Sequence, residues 1–325
     1  MKAALRQGVS VSILFAGACV GVVMAQGPGG GGGSNDDGNS PPVSVHSTNP
    51  FEAGFGAPTA GSTGVQSPPI SYHGGPIMGT PSVYLIWYGN WNQSNNSDTA
   101  AGQTLIRDFL HGLSGSNYYK INTSYVASGG TPTGSLNVVR EYTDSYSQTA
   151  RLSDSKVRTV VSNAIAGNHL PLDTNGIYLV LTSSDVSESS GFCRVYCGWH
   201  TASTISSSTI KYAFIGNANR CLSGCAAQTT GPNGNAGVDG MISVIAHELE
   251  ETNTDPLPIS GWADSQGAEN GDKCAWTFGQ NLHLVNGAYY NMTLPGISAP
   301  TRNYLVQRNL DAASKCYVDY VAKTQ

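Results

Sequence analysis

Charge is scarce in this chain of 325 residues: Asp, Glu, Lys and Arg make up 11% of it, and the formal net charge is −5. No Lys/Arg cluster offsets that balance, so nucleic acid is excluded as an electrostatic partner. Past residue 25 no apolar run approaches the roughly 20 residues a bilayer demands, and the mature chain is expected to have no membrane span. There is no Gly-x-Ser-x-Gly elbow, which leaves a serine triad without a nucleophile, and no Gly-rich turn follows a strand to cradle a nucleotide. Two familiar zinc-protease spacings are also missing, a second His four residues after His247 and a later Gly-x-x-His.

What the chain does have begins at its first residue. Lys2 and Arg6 precede an apolar stretch from Val9 to Val23, and Val23-Met24-Ala25 offers a small-x-small cleavage site, so residues 1–25 read as a signal peptide and the protein as secreted. Residues 26–69 are rich in Gly, Ser and Pro and read as a disordered leader containing His46. Residues 70–325 then follow without a second linker, enough for one folded domain. Export gives the cysteines meaning. Cys19 leaves with the signal peptide, and Cys193, Cys197, Cys221, Cys225, Cys274 and Cys316 remain as an even disulfide set. Their spacing suggests local closures Cys193–Cys197 and Cys221–Cys225 and a long link Cys274–Cys316, with a zinc site from the two Cys-x-x-x-Cys pairs as the rival. Asn92, Asn95, Asn122 and Asn291 begin glycosylation sequons.

Hydrophobic periodicity gives an order of elements. Strands are expected at 81–88, 136–142, 177–182 and 211–216, and helices at 99–113 and 154–166. Such alternation indicates an α/β fold, a mixed twisted sheet flanked by helices and stabilised by disulfides. A last helix is expected to start near Asp239 as N-cap, to pack Met241, Ile242, Val244 and Ile245 on the sheet, and to end before Pro256.

That helix carries the chemistry. In His247-Glu248-Leu-Glu-Glu251 the first and last residues lie on one face, so both can grip a cation while Glu248 stands beside them to take a proton from water. This is a metalloprotease-like arrangement for Zn²⁺, with Asp255 or Glu269 as the third ligand, drawn from the helix end or the turn-rich loop before Cys274. The alternative is a structural Ca²⁺ site built from Glu250, Asp255, Asp264, Glu269 and Asp272. His200 and His73 are read first as structural histidines, His200 with the option of lining the same cleft.

Several stretches together resemble the EXORDIUM, or phosphate-induced protein (Phi-1-like), family: Tyr72-His-Gly-Gly-Pro-Ile-Met-Gly79, Val83-Tyr-Leu-Ile-Trp-Tyr-Gly-Asn-Trp91, Gly191-Phe-Cys-Arg-Val-Tyr-Cys-Gly-Trp-His-Thr201, Cys221-Leu-Ser-Gly-Cys225 and Gly237-Val-Asp-Gly-Met241. The resemblance implies a secreted, extracellular or cell-wall protein, the apoplast in a plant, associated with growth promotion. The plant pattern continues past Gly-Val-Asp-Gly-Met without a His-Glu cluster, so the metal reading rests on this chain's own residues. Two functions are therefore expected. One is an extracellular zinc-dependent peptidase acting on a protein, peptide or cell-wall component; the other is a non-catalytic growth or signalling factor with no metal or a structural Ca²⁺.

Overall fold

The computed structural model describes residues 57–321 except residue 129, together with the backbone of residues 44–47. The expected signal peptide lies outside the described residues. Six strands form the central sheet: β1 (Ser44–Ser47), β2 (Ser82–Tyr88), β3 (Asn137–Asp144), β4 (Gly176–Thr182), β5 (Tyr196–Ile205) and β6 (Ser208–Ile215). Their spatial order is β1-β5-β6-β4-β2-β3. The four strands from β6 to β3 run parallel, while β5 and β1 add on antiparallel, so the sheet is mixed. β2 and β4 are buried almost throughout, and their unbroken Val, Leu, Ile, Tyr and Trp content is what two covered faces require.

Helix α1 (Ala100–Leu113) starts where the Thr99 hydroxyl accepts the Gly102 N–H, and α2 (Asp154–Ala166) where Ser153 accepts the Lys156 N–H. A short α3 (Leu222–Cys225) precedes α4 (Ala236–Thr254), which packs against β5, β6 and α1. Helix α4 begins ahead of the expected Asp239. Asn235 is its cap, accepting the Val238 N–H at 3.1 Å, and Asp239 lies in its first turn. Every residue from Gly237 to Thr254 is buried, which makes α4 a core helix and not an amphipathic surface one.

Two expectations are corrected. The leader is not free of structure throughout: residues 44–47 pair with β5, and residues 57–69 lie along the C-terminal part, where Thr59 O and Ala60 O accept the N–H groups of Phe278 and Gly279 at 2.7 and 3.0 Å. Gly, Ser and Pro cannot build a core, but their backbone polar groups still pair where another segment offers an edge. The disulfides join Cys193 to Cys221 and Cys197 to Cys225, not each Cys to its neighbour four residues on; Cys274–Cys316 is as expected. Four residues apart on the turn into α3, Cys221 and Cys225 share one face and both aim at the start of β5. The bridges therefore form two rungs between strand and helix.

On the far side of α1, Asp108 is buried and holds the 297–302 loop. It accepts the N–H groups of Ile297 and Ser298 at 2.8 Å each and an Arg302 Nε–H at 2.5 Å. Burial pushes this carboxyl up, but the hydrogen bonds from Ser298, Arg302 and Ile297 override it and bring its pKa down to about 2. A depressed carboxylate contributes stability above its unfolded pKa, and that contribution fades as pH falls toward the folded value. Asp108→Asn should accordingly cost about 2 kcal/mol at pH 7 and almost none near pH 2, flattening the acid limb of a urea-unfolding series. Equal destabilisation at both pH values would refute this account of the carboxylate.

Candidate metal centre

Three parts of the fold converge on the C-terminal half of α4. The helix supplies His247, Glu248 and Glu251; β5 supplies His200; the loop after the helix supplies Glu269 and Asp272. Glu251 is at the centre. Its Oε1 lies 2.8 Å from His247 Nε2 and accepts the Asp272 N–H at 3.1 Å, while its Oε2 lies 3.5 Å from His200 Nδ1. The two oxygens of one carboxylate thus face two different imidazoles. Around them stand two groups whose ligand atoms all lie within 4.8 Å of one another: His247, Glu251 and Asp272, and His200, Glu251 and Glu269. Asp272 Oδ1 is 3.6 Å from His247 Nε2, and Glu269 Oε2 is 3.7 Å from His200 Nε2.

The surrounding groups fix these positions. Gln307 hydrogen-bonds His247 Nδ1 and leaves Nε2 facing Glu251. His200 Nδ1 is 3.1 Å from Glu248 Oε2, and its Nε2 is 3.3 Å from the Asp255 carbonyl oxygen. Gly271 is obligatory by size, since a Cβ there would lie 2.8 Å from His247 Nδ1 and 2.9 Å from Glu251 Oε1. Gly198 has a similar role on the strand side: its added Cβ would meet Val244 Cγ1 at 2.6 Å and Glu248 Oε1 at 3.3 Å.

Charge at this centre is unbalanced. Four carboxylates, from Glu248, Glu251, Glu269 and Asp272, surround two imidazoles, and His200, His247, Glu248 and Glu251 have no exposed surface. Burial drives the Glu248 carboxyl up to about 7, opposed by the hydrogen bond from His200, and it likewise raises Asp272. Burial disfavours the charged imidazoles, yet neighbouring carboxylates prevail: His200 rises to about 10 and His247 well above its ordinary value, while Glu251 is lowered by His247 and His200 against its own desolvation. Protons thus relieve part of the excess negative charge. Even so, Glu248 Oε1 and Glu251 Oε2 are buried without a hydrogen bond, and the cluster could hold a metal ion.

The structure sorts the predicted residues. Glu251 meets His247 in one group and Glu269 in the other, so His247 and Glu269 do not share a group, and Glu248 lies beside His200. Asp255 does not join them: its carboxylate accepts the backbone N–H groups of Ile259, Ser260 and Gly261 at 2.7, 3.1 and 2.7 Å and shapes the turn after α4. The helix stops at Thr254, so the eight-residue spacing from His247 no longer keeps Asp255 on the ligand face. The five-carboxylate Ca²⁺ set does not assemble either. Asp264 pairs with Lys273 Nζ at 2.7 Å, and Glu250 sits on another face of α4, accepting from Asn309 Nδ2 at 2.5 Å with its pKa raised well above normal by burial. Sequence reasoning placed Asp272 only in that set and ranked His200 as structural. No local signal singled out His200, because β5 is buried continuously from Tyr196 to Thr201 and shows no alternation.

The sequons divide as well. Asn92 and Asn95 are exposed, whereas Asn122 is fully buried and the Asn291 amide donates to Phe278 O and Val306 O at 3.0 and 2.6 Å. A glycan on either of the latter two nitrogens is incompatible with the folded chain. Cys274 lies two residues from Asp272, and its link to Cys316 anchors the ligand loop. His73 is structural, its Nε2 lying 3.1 Å from Ala263 O.

A mixed α/β protein with a buried His/carboxylate centre on its core helix is the class that fold and site define. Comparison with known proteins supplies the family. Residues 70–316 match the family described as "Phosphate-induced protein 1 conserved region". The chain is 33% identical to Protein EXORDIUM-like 5 of Arabidopsis thaliana over 73% of its own length and 74% of that protein's. It is 31% identical to Protein EXORDIUM-like 3 of the same plant over 73% and 79%, and 29% identical to Protein PHOSPHATE-INDUCED 1 of Nicotiana tabacum over 58% and 65%. The chain belongs to the phosphate-induced protein 1, or EXORDIUM-like, family. No solved structure matches it.

Proposed function

We propose that this protein is a secreted, extracellular zinc-binding peptide hydrolase. The observation that carries the reading is the Glu251 carboxylate held between two imidazoles with Asp272, Glu269 and Glu248 around it. His247, Glu251 and Asp272 would hold the ion, an N/O donor set that suits Zn²⁺ better than the all-oxygen shell of Ca²⁺. When bound, zinc supplies Lewis acidity toward water and a peptide carbonyl. Glu248 would take and return the proton, standing beside the ion with one carboxylate oxygen free of hydrogen bonds. His200 orients that carboxylate through Nδ1. Three disulfides support export, and no helix among the described residues is long and apolar enough to cross a membrane.

One observation favours a second reading, a non-catalytic extracellular factor with a structural metal: the centre is almost sealed, its only appreciable opening being the 15% exposure of the Asp272 side chain. Zinc binding itself is tested on purified protein by elemental analysis and thermal unfolding. We expect about one zinc per chain, and a chelator should lower the midpoint by roughly 10 °C if free zinc stood near 1,000 times its Kd, worth about 4 kcal/mol. Protein purified without chelators that contains no zinc, and whose unfolding zinc leaves unmoved, rules the reading out.

A further inference from the structure

Beside the metal centre runs β5, whose inner neighbour is β6 and whose outer neighbour is a segment from the far end of the sequence. Ser44 pairs with His200, Val45 with Trp199, His46 with Gly198 and Ser47 with Tyr196, antiparallel, with a register shift after His46. In the sequence the paired residues 44–47 are flanked by Pro41 and Pro42 before and Pro50 after, and proline cannot donate to a ladder. Its four described residues lie opposite positions 196–200 of β5. Further along the strand, residues 202 and 203 are partly exposed and Thr204 is exposed, with Arg158 donating to Ser203 Oγ and Thr204 O at 2.7 Å each.

The strand it covers is the one that reaches the centre. Gly198 and His200 are two apart and so share a face of the sheet, the face on which His200 meets Glu248. With Gly198 bare, α4 approaches until Glu248 Oε1 would lie 3.3 Å from a Cβ at that position. β1 itself touches α4. A strand added to this edge has its backbone about 4.8 Å from β5, and its residues opposite 198 and 200 belong to the face that carries Glu248 and Glu251.

We infer that the outer edge of β5 is a peptide-binding site, which takes an extended polypeptide as an added antiparallel strand, and that the chain's own Ser44–Ser47 holds this place as a built-in competitor. Main-chain hydrogen bonds give such a site affinity with little demand on sequence. The inference deepens the peptide-hydrolase reading by naming its substrate as an extended chain; the fate of the bound peptide rests on that reading, the binding does not.

The test uses the full-length protein and a fluorescein-labelled synthetic peptide spanning Pro42 to Thr48. Of two consecutive residues in an antiparallel strand, one turns its N–H toward the partner, so Ser44→Pro with Val45→Pro removes a ladder donor whichever it is. By fluorescence anisotropy the double variant should bind the peptide about 100-fold more tightly than the parent, because the tethered segment competes at an effective concentration near the mM range. Amide exchange of β5 should speed up in the variant and slow again when the peptide is added. A variant that binds no better than the parent, or whose β5 amides are unaffected by both changes, overturns the inference. The two readings fail separately. Peptide bound by a protein that takes up no zinc keeps the strand site and removes the hydrolase; zinc taken up with no peptide bound on β5 does the reverse.

Discussion

Glu251→Ala should weaken zinc binding, with apparent affinity falling by more than about 100-fold. That figure is the upper range for losing a partner one shell removed from a metal, and Glu251 is in direct reach of both imidazoles. It is the only side chain common to the two groups of converging ligands. Removing it leaves His200 and His247 without the carboxylate that holds them, so neither group survives alone. Glu250→Gln is the control one residue away. Its carboxyl is kept protonated by burial and turned toward Asn309, so the neutral amide should preserve zinc binding. Titration with a chromophoric chelator as competitor measures both. Loss of zinc in both variants to the same degree would mean that the helix and not the ligand had been disturbed.

Glu248→Gln separates catalysis from binding. The variant should take up zinc like the parent and lose peptide hydrolysis by roughly 10²–10⁴-fold, the usual contribution of a positioned proton acceptor. The amide keeps the size of the side chain but has no basic oxygen, while His200 retains an acceptor at the position of Oε2. Cleavage of an unfolded casein substrate, followed by release of fluorescent fragments, provides the measurement. Undiminished cleavage in the variant would assign Glu248 to His200 alone, as its hydrogen-bond partner. A parent without cleavage that nonetheless holds zinc would favour the structural reading.

Local pattern made much of this legible. The β2 run from Ser82 to Tyr88 stands out because a strand covered on both faces must be apolar throughout, and α2 declares itself by its Ser153 cap and Val157, Val160, Val161 and Ile165 stripe. The His247/Glu251 pair could be read because both residues lie on one helix, where four-residue spacing fixes their geometry. What could not be read depends on distant segments. Asp272 reaches His247 only because Gly271 lets the loop pass against the helix, and His200 arrives from a strand whose sequence, Tyr-Cys-Gly-Trp-His-Thr-Ala-Ser-Thr-Ile, has no simple alternation. Disulfide pairing failed for the same reason. It depends on α3 crossing the start of β5, and spacing along the chain carries no record of that crossing.

The two rungs at Cys193–Cys221 and Cys197–Cys225 give β5 a mechanical property. Each joins positions 28 residues apart, and together they fasten the start of β5 to the turn that leads into α4. A partner that docks along β5 consequently meets a stiff rail already in its bound shape, and the entropy of ordering that rail has been spent during folding. Flexibility is left to the visitor. If the strand site holds, selection at such a rail would act on how readily an incoming chain straightens.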